Sequence, residues 1–186
     1  MLAELHSCNV LVLEKEPTSI TDDLVREIFG TIARVISYET RNFLDGKFEG
    51  NWVKVGYESW HQVARVKTGF LSSELVVMKS IVSLGDIHDK TIEEATRLAV
   101  LGTKYAPTVF AVTPASIVKE FLIEDDYSLG DSQQYAQLCE LSERMSQFGL
   151  WIQGGIPALA SHTIQTQGRL KLLDAGTGDI SGQASF

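Results

Sequence analysis

The stretch FEGNWVKVGYES, Phe48 to Ser59, alternates apolar and polar residues as a β-strand does. Because successive side chains of a strand point to opposite faces, two valines and a tyrosine share one side, while Trp52 and Lys54 share the other. The valine side is the better core face. The stretch therefore predicts a strand whose other side, which bears Trp52 and Lys54, is open.

The segments around this strand predict an α+β fold. Thr21 is a helix cap, the acidic residues after it suit the positive end of the helix dipole, and Gly30 suits the helix end. The predicted order is βαββαβ, the ferredoxin-like arrangement of the RNA-recognition motif (RRM), in which one sheet face is covered by helices. The predicted strands cover 8–17, 34–40, 48–59 and 74–82, and the predicted helices cover 21–30 and 59–69.

The open face of this predicted sheet is apolar and poorly suited to stacking nucleobases. By alternation, Leu11 and Leu13 of the first strand point outward, as Trp52 does. The typical RNA-binding strand carries further aromatic residues, yet Gly50 and Leu11 occupy positions where they are usual. Such a face is normally covered, here by the chain's own C-terminal segment, by a second copy or by RNA. The predicted sheet-face interface consists of Leu11, Leu13, Trp52 and Lys54.

The composition argues against a nucleic-acid surface. The 186 residues carry a formal net charge of −8, whereas non-specific affinity for nucleic acid comes mainly from Lys and Arg. We therefore expect single-stranded RNA to bind no tighter than roughly 10⁻⁴ to 10⁻⁶ M. Cys8, Cys139 and the scattered histidines lack metal-ligand spacing, so no metal and no cofactor is expected. No signal peptide or bilayer-length apolar run is visible, which predicts an intracellular, soluble protein.

The third strand and the segments after it resemble one protein family. The tripeptide Gly50-Asn51-Trp52, the alternation that follows it, a segment with Ala64 and Arg65, and the run GFLSSELVVMKSI (69–81) are similar to the RRM-type domain of the small inner-ring linker nucleoporins, also called the MPPN domain. The resemblance implies a scaffold at the nuclear pore and nuclear envelope. It also implies a homodimer formed through the sheet face, and binding to larger scaffold proteins.

The rest of the chain predicts an acidic helical region and a Gly-rich end. Thr113 followed by Pro114 is a strong helix start, and helical patterning stops at Gly154-Gly155-Ile156-Pro157. The predicted elements are helices over 88–106, 113–126 and 131–152 and a short strand over 108–112. The predicted organisation is an RRM-like domain over 1–84, a helical region over 86–153 and a flexible tail over 154–186.

An apolar stripe near the end of the predicted helix 131–152 is a candidate membrane or partner contact. The segment QFGLWIQGG is similar to the amphipathic membrane helix at the end of the nucleoporin family's chains. Basic residues normally strengthen binding to anionic lipid, whereas Glu140 and Glu143 lie here. Core packing is therefore favoured over membrane contact. The stripe consists of Met145, Phe148, Leu150, Trp151 and Ile152.

The segment LLDAGTGD, Leu172 to Asp179, is the strongest candidate for an enzyme motif. It begins like a methyltransferase nucleotide loop and also resembles an aspartic-protease loop. Either fold needs a long chain after this point, and only seven residues follow Asp179. The sequence therefore favours a non-catalytic scaffold for protein–protein interaction, with an RNA-binding RRM protein as the alternative.

Overall fold

The computed structural model describes residues 2–17, 19–41, 43–44, 47–48, 52–54, 57–68, 73–83, 87–176, 180–182 and 184, with the side chains of 38–62, 69–75 and 79–89 left aside. The chain is a mixed α+β protein that divides into two compact units. The sheet unit comprises Asn9–Thr91 and Val109–Phe121, and the helical unit comprises Met1–Cys8, Ile92–Thr108 and Leu122–Phe186.

The sheet unit is built mainly from β-strands, in line with its many β-branched residues. Its helix α2 (Asp22–Phe29) lies between the first two strands. The strands are β1 (Leu11–Val12), β2 (Arg34–Arg41), β3 (Phe43–Leu44), β4 (Lys47–Phe48), β5 (Trp52–Lys54), β6 (Tyr57–Lys67), β7 (Ser73–Ser83), β8 (Val109–Val112) and β9 (Ser116–Glu120).

An antiparallel meander forms the centre of the main sheet. Strand β2 pairs with β6, β6 pairs along its whole length with β7, and β7 pairs with β9. Strand β8 pairs antiparallel with β9, and β1 runs parallel to β8 at one edge. The strand order is β1-β8-β9-β7-β6-β2, and β5 also pairs with β6.

Helix α2 is confirmed as the sequence predicts it. The Thr21 hydroxyl accepts a hydrogen bond from the Leu24 amide at 3.3 Å, and the amide of Gly30, whose φ is +109°, donates to the Arg26 carbonyl at 2.9 Å. The buried face of α2 belongs to the core of the sheet unit. That core consists of Ile20, Leu24, Val25, Ala33, Ala64, Val66, Val76, Met78, Ala111 and Val118.

The segment predicted as a second helix, 59–69, lies instead largely within strand β6. Val63, Ala64 and Val66 fit a short helical face, but β-branched valines favour a strand. Strands on both sides, β2 and β7, also satisfy the backbone hydrogen bonds of β6. The expected βαββαβ order was therefore wrong in its second helix, and the ferredoxin-like details of the fold prediction are not confirmed.

The helix predicted to start at Pro114 is also wrong, because this segment is the turn between β8 and β9. The Thr113 amide donates to the Ser116 carbonyl at 2.9 Å, which closes the turn. The distant Glu16 carboxylate accepts hydrogen bonds from the Ala115 amide at 2.8 Å and from the hydroxyls of Thr113 and Ser116. These tertiary contacts override the local helix signal.

The helical unit packs buried leucines of its two longest helices together with a small hairpin. Leu98 and Leu141 are completely buried, as are Leu159 and Leu172 further along the chain. Its helices are α1 (Leu2–Ser7), α3 (Ile87–Leu101, of which 92–101 belong here), α4 (Asp131–Gln147) and α5 (Gly155–Ser161). Its strands are β10 (Trp151–Ile152), β11 (Thr163–Thr166), β12 (Arg169–Leu172) and β13 (Ile180–Ser181).

Two parts of the predicted domain organisation differ from the structure. The sheet unit is not confined to 1–84, since it requires β8 and β9. The segment predicted as a flexible tail, 154–186, contains α5 and three strands, with Leu170 and Ile180 buried. The reason is its alternating hairpin sequence, which buries leucines on one face and turns at Gln167 and Gly168, with φ values of +51° and +73°.

Candidate functional site

The β11–β12 hairpin of the helical unit leads directly into the tetrapeptide Leu173-Asp174-Ala175-Gly176, which we call the Asp174 loop. The Asp125 carboxylate holds the hairpin turn, because it accepts hydrogen bonds from the amides of Gln167 at 2.7 Å and Gly168 at 2.8 Å. The bond from Gly168, followed by one from the Gln165 side chain, lowers the pKa of Asp125. The hairpin is thus fixed by a group outside it.

Backbone hydrogen bonds fix the exit of the hairpin just before the Asp174 loop. The Leu172 amide donates to the Tyr105 carbonyl at 2.7 Å, and the Leu173 amide donates to the His162 carbonyl at 2.8 Å. Because Leu172 is also fully buried, the backbone has little freedom at this point. Asp174 therefore leaves a rigid element in a defined direction.

Asp174 lies at the surface of the helical unit with an imidazole nearby. Its side chain is 45% exposed, and its Oδ1 lies 3.9 Å from Nδ1 of His162, whose side chain is 25% exposed. A carboxylate oxygen and a neutral imidazole nitrogen are ligand types that divalent cations accept. The pair can bind a cation jointly or form an ion pair when the imidazole is protonated.

A second carboxylate approaches the Asp174 loop from α3. Glu94 is only 2% exposed, and its Oε2 lies 3.6 Å from the place that a Cβ would occupy at Gly176. The loop backbone at Gly176 thus runs within van der Waals range of the buried carboxylate. Two acidic side chains, one exposed and one buried, therefore border the same short loop.

Arg97, one turn further along α3, holds the chain after this loop. Its Nη1 donates to the carbonyls of Ala175 at 3.2 Å and Ile180 at 3.0 Å, and its Nη2 donates to the carbonyl of Gly182 at 2.8 Å. Its Nη2 also lies 2.7 Å from Oε1 of Glu93. One buried guanidinium thereby binds three main-chain carbonyls of a single segment.

The structure separates the residues of the predicted sheet-face interface. Leu11 lies on β1, which pairs with β8 at the edge of the sheet, whereas Trp52 and Lys54 lie on β5, which pairs with β6. Strands β8, β9, β7 and β6 lie between β1 and β5, so the expected adjacency of these two strands was wrong. Leu11 and Leu13 are half-buried against the core of the sheet unit, and the side chains of Trp52 and Lys54 lie outside the described residues.

The residues of the predicted apolar stripe do not form one helical face. Helix α4 ends at Gln147, because Gly149 has φ +72° and the chain turns there into β10. Met145 and Leu150 are 1% exposed, as core packing requires, whereas Trp151 is 58% exposed. Phe148 stacks beneath the Arg144 guanidinium at 4.5 Å, and Ile152 pairs with Ile180 across β10 and β13.

The sequence interpretation recognised the segment 172–179 but dismissed it, and it missed Glu94 and Arg97. A short signal was present, because protein kinases also carry an Asp-x-Gly tripeptide downstream of a lysine on a β-strand. The strand in question carries the run Val76-Val77-Met78-Lys79 on β7. Arg97 gave no local signal, since its role depends on carbonyls about eighty residues away.

Among the described residues, no group of three or more His, Cys, Asp or Glu side chains is placed to hold a metal ion, and no described helix is long and apolar enough to cross a bilayer. Comparison with protein-family models, curated proteins and solved structures finds no match for this chain.

Proposed function

We propose that this chain is a non-catalytic module that binds a nucleoside triphosphate with its Mg²⁺ ion, and that Asp174 is the carboxylate that holds the metal. The observation that carries the proposal is the Asp174 loop, in which an exposed carboxylate leaves a rigid hairpin beside the buried Glu94. Mg²⁺ is usually held by one or two carboxylates together with substrate phosphates and water. A site of this kind suits that coordination.

The chain order of the elements supports the same proposal. Protein kinases carry a lysine on the third strand of a sheet, then a helix with a glutamate, and later an Asp-x-Gly tripeptide whose aspartate binds Mg²⁺. Here Lys79 lies on β7, the third long strand of the meander; Glu93 and Glu94 lie on α3, and Asp174-Ala175-Gly176 follows β12. The pattern is partial, since alanine stands in the middle of the tripeptide.

Binding without phosphoryl transfer is favoured by what the sequence lacks. Protein kinases use an aspartate in a loop upstream of the Asp-x-Gly tripeptide to accept the proton of the attacking hydroxyl. In this chain, no Asp or Glu occurs from Met145 to Leu173. That interval contains Gly154 and Gly155 at the start of α5. A module with this sequence would bind the nucleotide without the upstream carboxylate that protein kinases use as the base for transfer.

Titration calorimetry with ATP, in the presence and absence of Mg²⁺, tests the proposal. We expect Mg²⁺-dependent binding by the wild-type chain, weakened at least about tenfold in Asp174→Asn, since a carboxylate–metal contact is lost. Asp126→Asn, which removes the same charge from an exposed position, is the matched control and should bind as the wild type does. Absence of binding up to about 1 mM ATP, or equal losses in the two variants, would contradict the proposal.

The scaffold role inferred from the nucleoporin resemblance stays a separate prediction, with its homodimer, its larger scaffold partners and its place at the nuclear pore. It rests on Gly50-Asn51-Trp52, whose side chains lie outside the described residues. Leu11 and Leu13 of the predicted surface are half-buried against the core of the sheet unit, so part of each side chain is accessible. The alternative, RNA binding through the same face, also stays a prediction. A solution mass that stays monomeric as concentration rises would exclude the homodimer.

A further inference from the structure

We propose that Arg97 is a positioning residue, which holds the segment after Asp174 in one conformation and thereby sets the affinity of the cation site. The second half of this statement rests on the function proposed above, whereas the first half stands on the contacts of Arg97 alone. The residues in question are Ala175-Gly176 and Ile180–Gly182, and together we call them the latched segment.

The contacts of Arg97 act on the backbone of the latched segment and do not involve its side chains. All three acceptors in the latched segment are main-chain carbonyls, those of Ala175, Ile180 and Gly182, at 2.8 to 3.2 Å from the guanidinium. The first acceptor is adjacent in sequence to Asp174. Arg97 therefore restrains the backbone on the C-terminal side of Asp174, as the Leu173 amide bond to His162 does on the N-terminal side.

Burial makes the guanidinium and the latched segment depend on each other. The Arg97 side chain is only 4% exposed, and a buried charge is very unfavourable unless it is paired and hydrogen-bonded. Glu93 supplies the opposite charge, and the three carbonyls take up other N–H groups. If the latched segment moved away, these groups would lose their partners, so the contacts favour the observed conformation.

Steric fit also fixes the C-terminal end of the latched segment. Strand β13 pairs with β10, and the next residue, Gly182, has φ +98°. A Cβ at Gly182 would lie 2.1 Å from the Gly149 carbonyl oxygen and 2.9 Å from Cζ3 of Trp151, so the site accepts only a glycine. Arg97 therefore binds both parts of the latched segment, at Ala175 on one side and at Ile180 and Gly182 on the other.

Hydrogen exchange measured by mass spectrometry on the full chain tests the positioning role without any ligand. Arg97→Met should speed exchange in a peptide covering the latched segment by at least about tenfold, because charge-assisted hydrogen bonds are lost. A peptide from α4 should be unchanged. Arg97→Lys keeps the charge but presents a single ammonium, so it should give an intermediate rate. Arg26→Met, on the exposed side of α2, is the control. Wild-type exchange rates in Arg97→Met would overturn the proposal.

Faster exchange in α4 would reveal that Arg97→Met unfolds the helical unit. In that event, a milder variant tests the positioning role. Glu93→Gln removes the opposite charge from a side chain that is 26% exposed and leaves the guanidinium in place. Faster exchange confined to the latched segment in Glu93→Gln and Arg97→Lys is the expected result. Unchanged exchange in these two variants would then overturn the proposal.

Calorimetry with Mg²⁺ and ATP separates this inference from the proposed function. If the wild type binds, Arg97→Lys should raise the dissociation constant severalfold, up to about tenfold, while Arg26→Met leaves it unchanged. If Arg97→Lys speeds exchange in the latched segment but leaves the dissociation constant unchanged, the link to affinity is overturned. If the wild type does not bind ATP with Mg²⁺, the proposed function and the link to affinity both fail. The positioning role of Arg97 is then tested by the exchange rates alone.

Discussion

Glu140 on α4 shows how one side chain joins segments that are distant in sequence. Its carboxylate accepts hydrogen bonds from Lys104 Nζ at 2.5 Å, from the Tyr105 hydroxyl at 2.9 Å and from Arg169 Nη2 at 3.2 Å. These donors, with Lys104 the strongest, lower the pKa of Glu140 from 4.5 to about 2. The same contact, with Glu140 as its main cause, raises the pKa of Lys104.

Glu140→Gln is expected to lower the free energy of unfolding near neutral pH by about 1 kcal/mol, since solvent screens a carboxylate that is 38% exposed. Because the folded-state pKa lies below the ordinary value of 4.5, the stabilisation is present above that pH and is lost as the pH falls towards 2. Urea unfolding at about pH 7 and about pH 3 measures this. The gap between wild type and variant should shrink at the lower pH. Glu143→Gln is the control, and a gap independent of pH would contradict the assignment.

At the scale of elements, the sequence was least informative where strand and helix compete. Val63, Ala64 and Val66 fit both periodicities over so short a segment, and only the pairing with β2 and β7 decides for the strand. Position 65 lies near the C-terminal end of β6, is exposed, and pairs with Ser37 and Leu75. It is therefore a suitable probe of the element type.

Arg65→Thr is expected to be more stable than Arg65→Ala, by about 0.5–1 kcal/mol, because threonine suits a strand and alanine suits a helix. Urea unfolding of the two variants under identical conditions gives the difference. The exposed position ensures that core packing contributes little to it. A more stable alanine variant would mean that the segment is helical, as the sequence alone had predicted.

The end of α4 gives another prediction, which separates core packing from membrane contact. Met145→Ala is expected to lower the free energy of unfolding by about 2–5 kcal/mol, since the side chain is 1% exposed. Trp151→Ala should cost less, because that side chain is 58% exposed. Thermal unfolding measures the two losses. Flotation with anionic liposomes is expected to show no difference between the Trp151 variant and the wild type. Wild-type flotation that Trp151→Ala abolishes, with unchanged thermal stability, would support membrane contact instead.

At the scale of the whole molecule, signals that act within a few residues were predicted well. The caps of α2, the strands β2, β7 and β8, and the helices α3 and α4 follow from local sequence and are found in the structure. Elements that depend on distant partners were not predicted. Strand β9 lies where Pro114 suggested a helix, and the hairpin after α5 lies where glycines suggested a flexible tail.

The candidate site shows the same contrast between local signals and distant partners. The Asp174 loop is a contiguous motif and was visible in the sequence, although its likeness to two enzyme loops was rejected and the segment was predicted to be a flexible tail. Glu94 and Arg97 lie on α3 about eighty residues earlier, and helical periodicity predicts only that such residues are on a helix. Their burial beside the Asp174 loop follows from tertiary packing. The predicted adjacency of the strands that carry Leu11 and Trp52 was wrong for a related reason, since the alternation of side chains along a strand does not specify the order of strands in a sheet.

The discontinuous sheet unit has a consequence for synthesis on the ribosome. Strand β7 has β6 on one side from the start, but its other partner, β9, emerges only after the whole of α3 and β8 have been translated. Until then, the nascent chain carries an unpaired β-edge, which is a template for association with other chains. The sheet can therefore be completed only after Glu120, the last residue of β9, has been translated. Because β7 and β9 are far apart in sequence, we expect their pairing to form slowly and late in folding.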